Sequence, residues 1–91
     1  MVSSKVIIRN KNGIHLKPAD ILCNETIKYN CVISLKIREK TVNAKSILGI
    51  LSACVKCGEE VEFICEGKDE VIALEEVMKL VKSGLGETFP E

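Results

Sequence analysis

Apolar side chains recur along this chain in two rhythms, and the switches between them mark out its elements. Lys5 to Arg9 is a β-branched run that predicts a first strand. From Leu16 to about Lys28, Ala19, Leu22, Cys23 and Ile27 recur at three- and four-residue spacing, the stripe of an amphipathic helix closed by Tyr29-Asn30. Period two returns over Val32 to Ile37: Ile33, Leu35 and Ile37 share one face, Ser34 and Lys36 the other, so one face is wet. Arg38-Glu39-Lys40 turns the chain into a brief returning strand, Thr41-Val42-Asn43. Ala44 to Val55 predicts a helix almost without a polar side, crowded by Ile47, Leu48, Ile50, Leu51, Ala53, Cys54 and Val55, and ended by Gly58. Glu60 to Glu66 alternates again, with Val61, Phe63 and Cys65 inward. Gly67-Lys68-Asp69 is a turn with Asp69 as the expected N-cap. Leu74, Val77, Met78 and Val81 stripe a last helix to about Lys82, stopped by Gly84, and Gly86 to Glu91 is expected to be a frayed polar tail.

The order strand, helix, strand, strand, helix, strand, helix describes a two-layer α+β domain, with helices over one side of a mainly antiparallel sheet. The pattern leaves the strand order open. At 91 residues the chain is one domain, 1–91, with a single core and little to spare. So small a domain can hardly surround the apolar segment 44–55. Some of Ile47, Leu48 and Leu51 should therefore stay exposed as a docking patch for a partner, the alternative being that all three pack inside.

Composition narrows the function. Thirteen basic and thirteen acidic residues cancel, and without a basic stripe interleaved with aromatics nucleic-acid binding is not expected. No run of 18 apolar residues predicts a membrane span, and Met1 to Arg9 does not resemble a signal peptide, so a cytoplasmic protein is expected. Five cysteines, an odd number, argue against a disulfide framework. Cys54-Val55-Lys56-Cys57 is a lone CxxC, with no second pair and no spare histidine to complete a zinc site. No metal is expected, and the thiols are read as reduced, partly buried small apolar side chains.

The chemistry gathers at Asn12 to Asp20. Turn-formers Asn12 and Gly13 precede His15, the single histidine, and Pro18 suits a first helical turn. Helix starts carry unpaired N–H groups and the positive end of a dipole, so they attract anions. Imidazole is a nucleophile near neutral pH. With Lys17 two residues on, the segment reads as a place to carry phosphate. Its plain alternative is a solvated surface histidine.

Gly13-Ile14-His15, Pro18-Ala19, Thr41-Val42-Asn43, Lys45-Ser46-Ile47, Leu48-Gly49 and the ending Ser83-Gly84-Leu85 carry a resemblance over nearly the whole chain. The chain resembles the histidine-containing phosphocarrier (HPr) family of the bacterial phosphoenolpyruvate-dependent sugar phosphotransferase system. The resemblance implies an open-faced β-sandwich: a four-stranded antiparallel sheet, order 1-4-2-3, covered on one face by three helices. It implies a carrier rather than an enzyme, without a cofactor and typically monomeric. His15 would take a phosphoryl group on Nδ1 from phosphorylated enzyme I and pass it to an enzyme IIA domain. Lys17 and the backbone N–H groups of Leu16 and Lys17 would hold the phosphate, and Ile47, Leu48 and Leu51 would dock partners. Ser46 is the second implied site, phosphorylated in many family members by an HPr kinase/phosphorylase and read by a catabolite-control regulator; its plain alternative is an ordinary N-cap. Three departures stand out. Lys17 replaces the usual arginine, giving up a bidentate fork for a point charge. Leu16 replaces a common alanine. Asp20 places an acid one turn further along, where it could repel a phosphate or cap something locally. A regulatory binding module, controlled at Ser46 with little transfer through His15, is the alternative function. A cysteine-based metal chaperone is a third option.

Overall fold

Strand alternation builds a sheet with one dry face, and the helices are what keep it dry. The structure, a computed structural model, describes residues 1–87, so residues 88–91 of the expected tail lie outside the described residues. In chain order the elements are β1 (Val2–Ile7), α1 (Leu16–Thr26), β2 (Cys31–Ile37), β3 (Lys40–Asn43), α2 (Ile47–Ser52), β4 (Glu60–Gly67) and α3 (Glu70–Lys82). The four strands form one antiparallel sheet in the order β1-β4-β2-β3, an open-faced β-sandwich with the helices on one side. Register matches the period-two reading: Val61 faces Val6, and Phe63 lies between Ser4 and Leu35. Inward-pointing Ile33, Leu35, Ile37, Val61, Phe63 and Cys65 are buried against Leu22, Ala73 and Val77 of the helices. On the opposite face Lys5, Glu62 and Lys36 stand side by side across three strands, an opposite-charge row suited to a wet surface.

Tertiary contacts move several boundaries. β1 begins at Val2 and ends at Ile7, earlier than the run Lys5 to Arg9 suggests, because pairing with β4 draws Ser3 and Ser4 into the ladder. α1 stops at Thr26, where Thr26 Oγ1 donates to Ala44 O at 2.7 Å and lies 3.1 Å from Cys23 O. Ile27 N still reaches Cys23 O, but Lys28 N and Tyr29 N reach back only three residues, tightening the last turn, and Ile27 points outward, 58% exposed. α2 is much shorter than the segment 44–55. Ala44 N still donates to Ile33 O as an extension of the sheet, Ser46 caps the helix, and Cys54 turns left-handed (φ +50°) after it. Of the apolar trio, Leu48 is 81% exposed while Ile47 and Leu51 are half-buried.

Asp69 occupies the N-cap position of α3 but makes no side-chain cap bond. Its Oδ2 instead accepts from Asn30 N at 2.8 Å, tying the start of α3 to the start of β2; that amide, above all, holds the carboxyl below its ordinary value. The thiols divide. Cys23, Cys31 and Cys65 are buried as read, and burial pushes the Cys31 thiol up to about 11. Cys54 and Cys57 are exposed, so the apolar-packing reading fails for the CxxC: the chain leaves α2 before Cys54 and neither thiol reaches the core. No group of metal-ligating side chains assembles among the described residues, and no helix among them is long and apolar enough to cross a membrane.

Thr26→Val keeps the volume but strips a buried carbonyl of its donor. Urea denaturation should show a loss of about 1–3 kcal/mol, with unchanged stability contradicting the role given to this bond.

Candidate functional site

The loop that presents His15 is fixed by backbone contact with a loop far along the chain. Gly13 has φ +66°, and a Cβ there would lie 2.0 Å from Val55 O, so only glycine permits the approach. Ile14 N donates to Val55 O at 3.0 Å and the Ile14 side chain is buried. The Val55 loop is braced in turn by Arg38, whose guanidinium donates to Ala53 O at 2.8 Å and pairs with Glu59. Glu59 Oε1 accepts from Lys56 N at 2.8 Å.

This scaffold delivers His15 as the N-cap residue of α1. Its carbonyl accepts from Ala19 N at 2.9 Å, while its ring makes no capping bond. Pro18 has no N–H to offer, and the amides of Leu16 and Lys17 have no partner among the described residues, leaving the positive end of the helix open.

The His15 ring is 38% exposed, and one of its nitrogens is held. Nε2 lies 2.9 Å from Glu87 Oε2. Glu87 Oε1 accepts from Asn10 Nδ2 at 2.8 Å, and the same amide donates to Gly84 O at 2.9 Å. Glu87 gets there by a hook after α3: Gly84 N donates to Val81 O and Leu85 N to Leu80 O, the paired bonds of a Schellman cap. Gly84, Leu85 and Gly86 all have positive φ (103°, 49° and 80°), and Leu85 is wholly buried, pinning the hook. The Asn10 donor first, then the His15 contact, hold the Glu87 carboxyl below its ordinary value. An ionised Glu87 carboxylate can only accept in this contact. Nδ1 has no partner among the described residues.

Glu87 also lines a hollow of about 310 Å³ with Lys11, Asn12, Lys17 and Gly86; His15 itself does not line it. Lys17 is exposed and makes no hydrogen bond or ion pair with a described residue. Asp20 is exposed and does not line the hollow. His15, Leu16 and Lys17 are consecutive at the start of α1, and of the three only Lys17 lines the hollow. Leu16, 64% exposed, adds an apolar surface beside them.

Ser46 starts α2, the helix that packs on α1. Its Oγ accepts from Gly49 N at 3.0 Å, an N-cap bond, and the exposed Leu48 follows within one turn. Sequence reasoning missed Asn10 and Glu87. Gly84-Leu85-Gly86 signals a turn that could carry Glu87 back over the fold, whereas nothing local marks Asn10, whose partners lie 74 and 77 residues away.

Comparison with known proteins bears on this geometry. A family model described as the PTS HPr component phosphorylation site matches residues 2–83. The HPr-like protein Crh of Bacillus subtilis (strain 168) is 39% identical over 82 residues, spanning 90% of this chain and 96% of its own. The phosphocarrier protein HPr of Treponema pallidum (strain Nichols) is 35% identical over 83 residues, 91% of this chain and 94% of its own. A crystal structure of HPr-C-His from Thermoanaerobacter tengcongensis superposes with a TM-score of 0.93 at 36% identity, covering 98% of this chain and all of that one.

A lowered carboxyl contributes stability that is present above its unfolded value and lost as pH falls through its folded value. Wild type should therefore melt higher than Glu87→Gln at pH 7, and the gap should close as pH falls below about 4. A gap that stays constant from pH 7 to pH 3 in thermal melts would contradict the ionised contact.

Proposed function

The chain belongs to the HPr family of phosphocarriers, and on that footing we propose that it relays phosphoryl groups through His15 in a cytoplasmic sugar phosphotransferase system. The observation that carries this reading is the half-exposed ring at the open end of α1, with one nitrogen held and Nδ1 unpartnered. The Nδ1 lone pair attacks the phosphorus carried by phosphorylated enzyme I; the bond to the enzyme I nitrogen breaks as the new N–P bond forms. An enzyme IIA domain then takes the group by the same exchange.

Phosphoryl transfer asks for in-line positioning and charge stabilisation more than for covalent help. The amides of Leu16 and Lys17 and the Lys17 ammonium supply positive potential to the phosphoryl oxygens. Lysine neutralises charge but cannot orient two oxygens at once, so transfer is slower than an arginine would allow. Leu48, with the half-buried Ile47 and Leu51, forms the apolar docking surface for both partners.

The position of Ser46 favours a second, regulatory reading, supported by likeness to an HPr-like protein as well as to phosphocarriers. A phosphate on Ser46, added by an HPr kinase/phosphorylase, would bring about two negative charges to the start of α2 beside Leu48. That weakens docking of enzyme I and offers a new surface to a catabolite-control regulator.

Incubation with enzyme I and labelled phosphoenolpyruvate should put acid-labile, base-stable label on wild type and none on His15→Ala. Unlabelled wild type, or equal label on the variant, would end the carrier reading. Complementation of sugar uptake separates the two roles: His15→Ala should abolish uptake while Ser46→Ala supports it. An effect of the serine change alone would make the regulatory reading the correct one.

A further inference from the structure

We propose that Glu87, anchored by Asn10, is a positioning residue that keeps one proton on Nε2 of His15 throughout the phosphoryl cycle, so that Nδ1 always offers the lone pair. The inference rests on the carrier reading of His15 and assigns a role to groups outside the first turn of α1.

A side-chain relay of fixed polarity leads from Asn10 to the ring. Both partners of the Asn10 amide, Gly84 O and Glu87 Oε1, are acceptors, so its Nδ2 must face them and its Oδ1 must face away. Asn10 is 1% exposed, and that Oδ1 is buried without a partner among the described residues. The fold thus accepts an orphaned acceptor to keep both donors on the hook and its carboxylate. Glu87 then has one oxygen taken by Asn10 and presents the other to Nε2 at 2.9 Å. Which nitrogen of a histidine carries the proton is set by the bond that the other atom of the ring makes. A carboxylate on Nε2 selects the Nε2–H tautomer.

That tautomer suits the transfer. A neutral ring protonated at Nε2 attacks phosphorus with the Nδ1 pair, and no proton has to leave. The N–P bond forms, the bond to the donor nitrogen breaks, and the ring becomes a cation with its proton still on Nε2. Glu87 Oε2 faces the charge as it appears. When the next acceptor takes the phosphoryl group, the electron pair returns to Nδ1 and the proton has not moved. A ring protonated at Nδ1 would have to lose that proton before attacking, and no base among the described residues bonds that nitrogen.

Imidazole-15N NMR of the unphosphorylated protein at neutral pH reads the tautomer without any partner. Wild type should be mainly Nε2–H and Glu87→Ala should become a mixture; Glu87→Gln has one acceptor oxygen for two donors, Asn10 Nδ2 and Nε2–H, and should lie between them. With enzyme I, kcat for phosphoryl transfer to Glu87→Ala should fall about tenfold, the scale of a lost hydrogen bond to a charged group, while KM stays within twofold. Glu87→Gln should fall between the two. Wild-type tautomer populations in Glu87→Ala, or a kcat within twofold of wild type, would overturn the inference while leaving the carrier reading intact. Wild type that takes no label from enzyme I would remove the carrier reading and this inference with it.

Discussion

The backbone of Gly13 touches the backbone of Val55, and the placement of His15 follows from that contact. A side chain at residue 13 would collide with Val55 O, and the Ile14 amide uses the same oxygen as its acceptor. The Val55 loop is itself held by Arg38 of the β2–β3 turn and by Glu59, just before β4. Neither loop is regular structure, yet each has its polar backbone answered by the other. α1 therefore starts at a set place, with its unpaired amides directly after His15.

Magnitudes explain why such a site suits carriage rather than storage. A helix end contributes about 0.3–1 kcal/mol to an anion at an exposed position. One solvated lysine adds a further increment of up to about 1 kcal/mol, reduced by salt. Together they would steady a phosphoryl group, as proposed, without trapping it. The Glu87 carboxylate works in the opposite sense on the dianion and in the favourable sense on the ring cation. On the proposed reading, a phosphohistidine between these influences would be stabilised enough to be passed on and not enough to be kept.

Much of the fold was legible because period two and period 3.6 are set by which faces are buried. Ile33, Leu35 and Ile37 of β2 and Val61, Phe63 and Cys65 of β4 point inward as the alternation requires. Where apolar character and burial part company, the pattern misleads. Segment 44–55 looks like one helix, but its ends serve the sheet and the Val55 loop, leaving α2 only Ile47 to Ser52. Ser3 and Ser4 lie outside the β-branched run, yet β4 pairs with them. At the site, His15, Leu16 and Lys17 are neighbours in sequence and were found together. Asn10 and Glu87 meet because the hook after α3 returns across the start of α1; Gly84-Leu85-Gly86 marks the turn, but nothing in short-range spacing marks its partner Asn10.

Phosphorus–nitrogen coupling in the phosphorylated protein, labelled with 15N in its imidazole, tests the central assignment most directly. Coupling to Nδ1 of His15, with a proton retained on Nε2, is the expected result. Phosphorus bonded to Nε2, or found on Ser46 after reaction with phosphorylated enzyme I, would contradict it.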